Sequence, residues 1–219
     1  MGRSALVLGA NGLVGGKLLE QLLKDDKYEK VTYLGRKEVN KHPKLTQILL
    51  NLDKLDHFHS EFQVNDVYCC LGTTIKKAGS QGAFTKVDYE YPLKAAQLAK
   101  AGNADQYLII SAMGANPTSR IFYNRVKGKV EEELKKLNMN GLHIFRPSLL
   151  LGKREEFRFG EKMAEWLFKP ISNVRLAFLR KYGPIEAETV AIAMKRIALK
   201  ADKGIHIYES EQIKNITKR

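Results

Sequence analysis

Apolar residues along the chain come in short runs, and the segments between the runs carry helical spacing. Ala5-Leu6-Val7-Leu8 is the first run, and Leu13, Leu18, Leu19, Leu22 and Leu23 form the first helical stripe. Continued to the end, the pattern predicts strands over 4–8, 30–34, 46–51, 66–71, 106–111, 142–146 and 205–208. Helices are predicted over 13–24, 84–101, 119–138, 158–169 and 186–200. Such alternation specifies an α/β fold, a Rossmann-like doubly wound parallel sheet with helices on both faces. The alternation loosens after Arg146-Pro147, where Phe157, Phe159, Trp166, Leu167 and Phe168 make an aromatic-rich stretch. We expect a single domain over 1–219, with 147–185 as a small C-terminal substrate or cap segment. The same aromatics read equally well as plain core.

The first strand runs straight into Gly9-Ala10-Asn11-Gly12-Leu13-Val14-Gly15. Strand, tight glycine turn and helix in that order are the context a dinucleotide-binding loop needs. Gly9 allows a sharp turn, Gly12 lets backbone N–H groups approach a pyrophosphate, and Gly15 lets the helix sit close on the strand. The helix N-terminus adds positive potential and N–H donors.

Charge narrows the partners. The chain has 219 residues and a formal net charge of +13, which favours anionic ligands such as phosphorylated cofactors or acidic substrates. The lysines are dispersed without aromatic interleaving, so nucleic acid is the weaker expectation. No apolar run reaches a membrane span, and the N-terminus enters the first strand without a signal peptide, so a cytoplasmic protein is expected. Cys69 and Cys70 are the two cysteines. As strand neighbours they point to opposite faces and read as core thiols rather than a disulfide or zinc site. The five histidines show no ligand spacing, His57 and His59 reading as solvated, and no metal is expected.

Tyr123-Asn124-Arg125-Val126-Lys127 carries the second motif. A tyrosine and a lysine four apart share a helix face. An ammonium beside a phenol stabilises the phenolate, which suits tyrosine to proton transfer with a carbonyl or alcohol. Ser111, at the end of the fifth predicted strand, is positioned to orient a substrate oxygen or to satisfy backbone. The second strand ends in Tyr33-Leu34-Gly35-Arg36-Lys37 with no carboxylate at its tip. Arg36 and Lys37 therefore favour the 2′-phosphate of NADP, with NAD as the alternative.

Taken together, Gly9-x-x-Gly12-x-x-Gly15, Cys70-Leu71-Gly72-Thr73-Thr74, Val87-Asp88-Tyr89, Ser111-Ala112-Met113-Gly114-Ala115, Tyr123-x-x-x-Lys127-Gly128 and Phe145-Arg146-Pro147-Ser148-Leu149-Leu150 resemble the short-chain dehydrogenase/reductase superfamily, in its atypical or extended branch. Within it, the chain is similar to the small Tat-interacting oxidoreductase-like NAD(P)-binding proteins. The resemblance implies catalytic roles for Ser111, Tyr123 and Lys127. It implies cofactor contacts at Gly9, Asn11, Gly12, Leu13, Val14, Gly15, Asp53, Leu71, Gly72, Thr73 and Lys127. Pro147, Ser148 and Leu149 match the loop that receives the nicotinamide end. Related sequences carry two serines where this chain has Ser111-Ala112.

The expected function is NADP-dependent hydride transfer to or from a small carbonyl or alcohol substrate, by a monomer or homodimer. The Ala112 departure supports an alternative, a cofactor-binding regulator or redox sensor with little catalysis. Nucleotide-sugar epimerisation uses the same tyrosine and lysine, but about seventy residues after Arg146 leave little room for a sugar-nucleotide domain.

Overall fold

A computed structural model describes residues 2–152 and 183–218. The chain opens with β1 (Arg3–Leu8), α1 (Leu13–Leu23), β2 (Tyr28–Gly35) and β3 (Leu45–Leu49). A kinked 3-10 stretch (Leu52–Phe62) leads to β4 (Asp66–Cys69). Two short helices follow, α2 (Ile75–Ala78) and α3 (Gln81–Thr85), then a π turn (Lys86–Glu90) that runs into α4 (Tyr91–Ala101). The second half holds β5 (Gln106–Ile110), α5 (Phe122–Lys136), β6 (Gly141–Arg146) and β7 (Leu150–Leu151). It ends with β8 (Ile185–Glu186), α6 (Ala187–Lys200), β9 (Gly204–Glu209) and α7 (Ser210–Lys218).

Seven strands form one sheet in the order β3-β2-β1-β4-β5-β6-β9, and every pairing is parallel. The strand order reverses between β1 and β4, the switch point where open α/β sheets bind ligands. Leu8 is in register with Leu34 on one side and Cys69 on the other, so β1, β2 and β4 end level at their carboxyl edge. The short β7 and β8 pair separately, also in parallel.

The sheet is wound on both faces because side chains alternate along each strand. Ala5, Val7, Tyr33, Cys70 and Phe145 belong to one core with α1 and α6. Leu6, Leu8, Cys69, Ile109 and Ile144 belong to the other, with α4 and α5. Leu18 and Leu22 of α1 are fully buried, and each such burial stabilises by about 1.5–3 kcal/mol. The adjacent cysteines thus sit in different cores, as strand alternation requires.

Some boundaries differ from the sequence expectation. The helix expected over 84–101 is three pieces, because the π turn inserts between α3 and α4. The helix expected from residue 119 starts at Phe122, since Ile121 is extended. The 3-10 stretch and α7 are additional; His57 and His59 are exposed on the former. The helix expected over 158–169, with Phe157, Phe159, Trp166, Leu167 and Phe168, lies outside the described residues, as does most of segment 147–185. Among the described residues no helix is long and apolar enough to cross a membrane.

Candidate dinucleotide cleft

At the carboxyl edge of β1, β2 and β4 lies a cleft of about 650 Å³, within the range of small-molecule sites. Gly9, Asn11, Gly12 and Leu13 line it from the first loop, Arg36 and Lys37 from the end of β2, and Leu71, Gly72 and Thr73 from the turn after β4. Nine of the sequence-predicted cofactor residues therefore share one cavity.

The glycines divide the work by geometry. Gly9 has φ +85°, and a Cβ there would come within 2.6 Å of the Cys70 carbonyl group. Only glycine lets the first loop press against the β4 turn in this conformation. A Cβ at Gly15 would lie 2.3 Å from the Gly9 carbonyl oxygen, so Gly15 sets the approach of helix to strand and does not line the cleft. Val14 is likewise buried in the core. Gly12 is the N-cap of α1, with no side-chain cap and no acidic residue in the first turn. The positive end of α1 therefore faces the cleft with no carboxylate in its own first turn, and Glu38 is the acidic residue in the lining. This cradle of glycine backbone, helix terminus and exposed Arg36 and Lys37 fits a dinucleotide phosphate group.

Tyr33 braces the cleft wall. Its ring folds back where a Gly35 Cβ would be, and its hydroxyl donates to Asn11 Oδ1 and lies 3.0 Å from the Lys37 carbonyl. Asn51, Leu52 and Tyr91 also line the cleft. Asp53 stands beside them, outside the lining. Its carboxylate is held by Lys86 at 2.6 Å and by the Tyr91 hydroxyl at 2.7 Å, and the Lys86 contact first of all depresses its pKa. Its neighbours Asn51 and Leu52 line the cleft, where Asp53, expected to contact the adenine, does not.

Tyr123 and Lys127 share a face of α5, and the Tyr123 ring packs on Phe84 of α3 at 5.6 Å. Lys127 is 3% exposed, and its Nζ lies 2.7 Å from Asp88 Oδ1 and 3.5 Å from the Ile110 carbonyl oxygen. Burial works against charge on this lysine. The Asp88 carboxylate, and then Tyr123, outweigh it and hold the pKa above the ordinary lysine value. Asp88 was visible in the sequence as part of Val87-Asp88-Tyr89, but its partner could not be read there.

Two expected assignments change. The Ser111 hydroxyl, expected to orient a substrate, donates to Glu131 Oε1 in the core. Glu131 is 1% exposed and is gripped by Arg146 at 2.5 and 3.1 Å. Ser148 donates to the Gly183 carbonyl oxygen at 2.6 Å and contacts the Ser210 hydroxyl at 2.8 Å. Pro147 and Leu149 use their carbonyl groups on Met113 and Ile185. All three lie at the carboxyl end of β6 and outside the cleft lining, where they brace the chain leaving the sheet.

The parallel sheet, the glycine cradle and the Tyr-x-x-x-Lys pair on α5 define an extended short-chain dehydrogenase/reductase-type Rossmann protein. Residues 5–175 match the NAD dependent epimerase/dehydratase family, and the chain belongs to that family. It is 40% identical to Protein HTATIP2 of Rattus norvegicus over 171 residues, 76% of this chain and 70% of that protein. It is 31% identical to the mitochondrial Protein FMP52 of Eremothecium gossypii, covering 99% of this chain and 98% of the relative. The fold is shared with the Bordetella bronchiseptica enzyme WbmH, solved in complex with NAD+ (TM-score 0.73, 16% identity, 95% of this chain and 75% of that one). It is also shared with the UDP-glucose 4-epimerase of Thermotoga maritima (TM-score 0.68, 11% identity, 98% and 82%). The fungal relatives correct the cytoplasmic expectation, since FMP52 proteins matching across most of this chain are named mitochondrial.

Proposed function

We propose that the protein is an NADP-preferring oxidoreductase of the atypical short-chain type, acting on a small carbonyl or alcohol. The observation that carries this reading is the buried, charged Lys127 one helical turn from Tyr123, tied through Asp88 to the cleft-lining Thr73. When bound, the nicotinamide supplies or accepts the hydride. Tyr123 gives its proton to the carbonyl oxygen in reduction and takes it from the hydroxyl in oxidation. The Lys127 ammonium stabilises the phenolate that this transfer leaves. Arg36 offers a planar fork for a 2′-phosphate, with Lys37 beside it, and β2 ends without a carboxylate.

The mitochondrial names of the fungal relatives support a mitochondrial setting, and we treat the chain as one domain acting on a small molecule. Replacing Tyr123 by Phe is expected to cut turnover by at least about 100-fold while NADPH still binds. Steady-state rates across a carbonyl panel, with NADPH binding by fluorescence, test it; an active Phe variant overturns the assignment.

A second reading, a cofactor-binding regulator with little catalysis, draws on Ala112 and on the Ser111 hydroxyl being held by Glu131. It predicts NADPH binding with no turnover of any carbonyl offered.

A further inference from the structure

Asp88 is 1% exposed and sits in the π turn between α3 and α4. A π turn inserts one extra residue into a helix and redirects the side chains around it, and such turns concentrate at functional sites. Here the redirected carboxylate has two partners on two different elements. Oδ1 lies 2.7 Å from Lys127 Nζ on α5. Oδ2 accepts the Thr73 backbone N–H at 2.8 Å. Thr73 lies in the turn that lines the cleft. Its neighbour Gly72 has no side chain, and a Cβ there would already be in contact with Asp88 at 3.4 Å.

We infer that Asp88 is a positioning residue that fixes the buried Lys127 ammonium beside Tyr123 and ties it to the cofactor-lining turn at Thr73. The inference rests on the functional reading above for what the lysine does. Three arguments support it. A lysine this deeply buried keeps its proton only with a counter-charge. Asp88 is the carboxylate in contact, because Glu131, one turn further along α5, is engaged with Arg146 and Ser111. Among the described residues, the other titratable groups facing Lys127 are Tyr123 on its own helix and Cys69 on β4, whose thiol burial pushes up. Neither of these neutral groups can replace the carboxylate. The second Asp88 oxygen is used on a backbone amide of the cleft itself, so any shift of that turn is felt at the lysine.

Asp88→Asn and Asp88→Ala separate the two duties. Asparagine can still accept from the Thr73 N–H but brings no charge; alanine does neither. Lysine-labelled NMR, with Lys127→Met to assign the signal, reads the charge without any turnover. In wild type Lys127 should titrate above the surface lysines, and in Asp88→Asn below them. NADPH affinity should stay within about threefold in Asp88→Asn and fall by about tenfold in Asp88→Ala, as the loss of a charge-assisted hydrogen bond predicts. If the variants turn a carbonyl over, the alkaline limb of the Asp88→Asn pH–rate profile should move to lower pH. An unchanged Lys127 titration in Asp88→Asn, or wild-type NADPH affinity in Asp88→Ala, overturns the inference. Should Asp88→Asn fail to fold, wild-type NMR decides, and Lys127 titrating with the surface lysines overturns it. A wild type inert towards every carbonyl would sink the reductase reading but leave these binding and NMR outcomes intact.

Discussion

Ser111 donates its hydroxyl to Glu131, and the same carboxylate is gripped by Arg146 from the neighbouring strand β6. The serine at the end of β5 is thus a fastening between sheet and α5. Lys127 and Glu131 are four apart on that helix, and each is held by a buried partner. Tyr123 is therefore presented on a helix bolted down at two successive turns.

That relationship makes Ser111→Ala informative. Losing one hydrogen bond to a charged group should cost about 1.5–3 kcal/mol of stability and leave turnover within about threefold. Urea unfolding alongside steady-state kinetics decides it. A loss of activity of 100-fold or more without instability would return Ser111 to the catalytic group.

Glu131→Gln should be at least as damaging. Among the described residues it leaves Arg146 with Glu209, at 2.9 Å on the exposed side. The arginine left behind is partly exposed, so the loss is that of charge-assisted hydrogen bonds, about 1.5–3 kcal/mol, rather than that of a fully buried charge. A double variant, Glu131→Gln with Arg146→Met, should recover part of that loss, measured by the midpoint of chemical unfolding.

Coenzyme choice is addressed at Arg36. Arg36→Asp should weaken NADPH binding by at least tenfold and strengthen NADH binding, because a carboxylate at the tip of β2 suits a ribose diol and repels a phosphate. Fluorescence titration with both cofactors reads the ratio. Equal NADPH affinity in the variant would remove Arg36 from the site.

His143 gives the fold an acid-side dependence. Burial first, and then the neighbouring His206, depress its pKa from 6.5 to about 4; Asp202 opposes them, and Tyr208 lies 3.2 Å from its Nδ1. Above pH 6.5 neither folded nor unfolded chain protonates it, so it has no effect. Between about 6.5 and 4 the unfolded chain takes up the proton and the folded one does not. Stability should then fall as pH drops, by up to about 1.4 kcal/mol per pH unit from this group. His143→Phe should flatten that part of the profile, read from urea unfolding at pH 7, 5.5 and 4.5.

Gly15→Ala tests the close approach of α1 to the first loop. With a Cβ only 2.3 Å from the Gly9 carbonyl oxygen and 3.1 Å from the Ala10 Cα, backbone must move. A loss of about 1–3 kcal/mol is expected, with weakened NADPH binding, by thermal unfolding with and without cofactor.

The strands were legible in the sequence because parallel strands buried on both faces leave continuous apolar runs such as Tyr107-Leu108-Ile109-Ile110. The glycine loop was legible because its spacing is local. The π turn was not: Thr85 through Tyr91 reads as unbroken helix, and a shift from i→i+4 to i→i+5 bonding leaves no mark in residue type. The 3-10 stretch was hidden for another reason, since Leu52, Leu55 and Phe62 are spread among charged residues and His57 and His59. The partner of Ser111 was not legible, because Glu131 and the Arg146 that grips it are distant in sequence and meet only when α5 lies on the sheet. Cys69 and Cys70 were read correctly from strand alternation alone.

The Tyr33 hydroxyl carries a single hydrogen atom and faces two acceptors, Asn11 in the first loop and the Lys37 backbone beyond β2. One hydrogen cannot satisfy both at full strength. Asn11 and the Lys37 backbone, both on cleft-lining residues, are therefore held by competing claims on the same hydroxyl. Tyr33 itself lines the cleft, so one hydroxyl shares its hydrogen between the loop after β1 and the loop after β2 at the edge of that cavity.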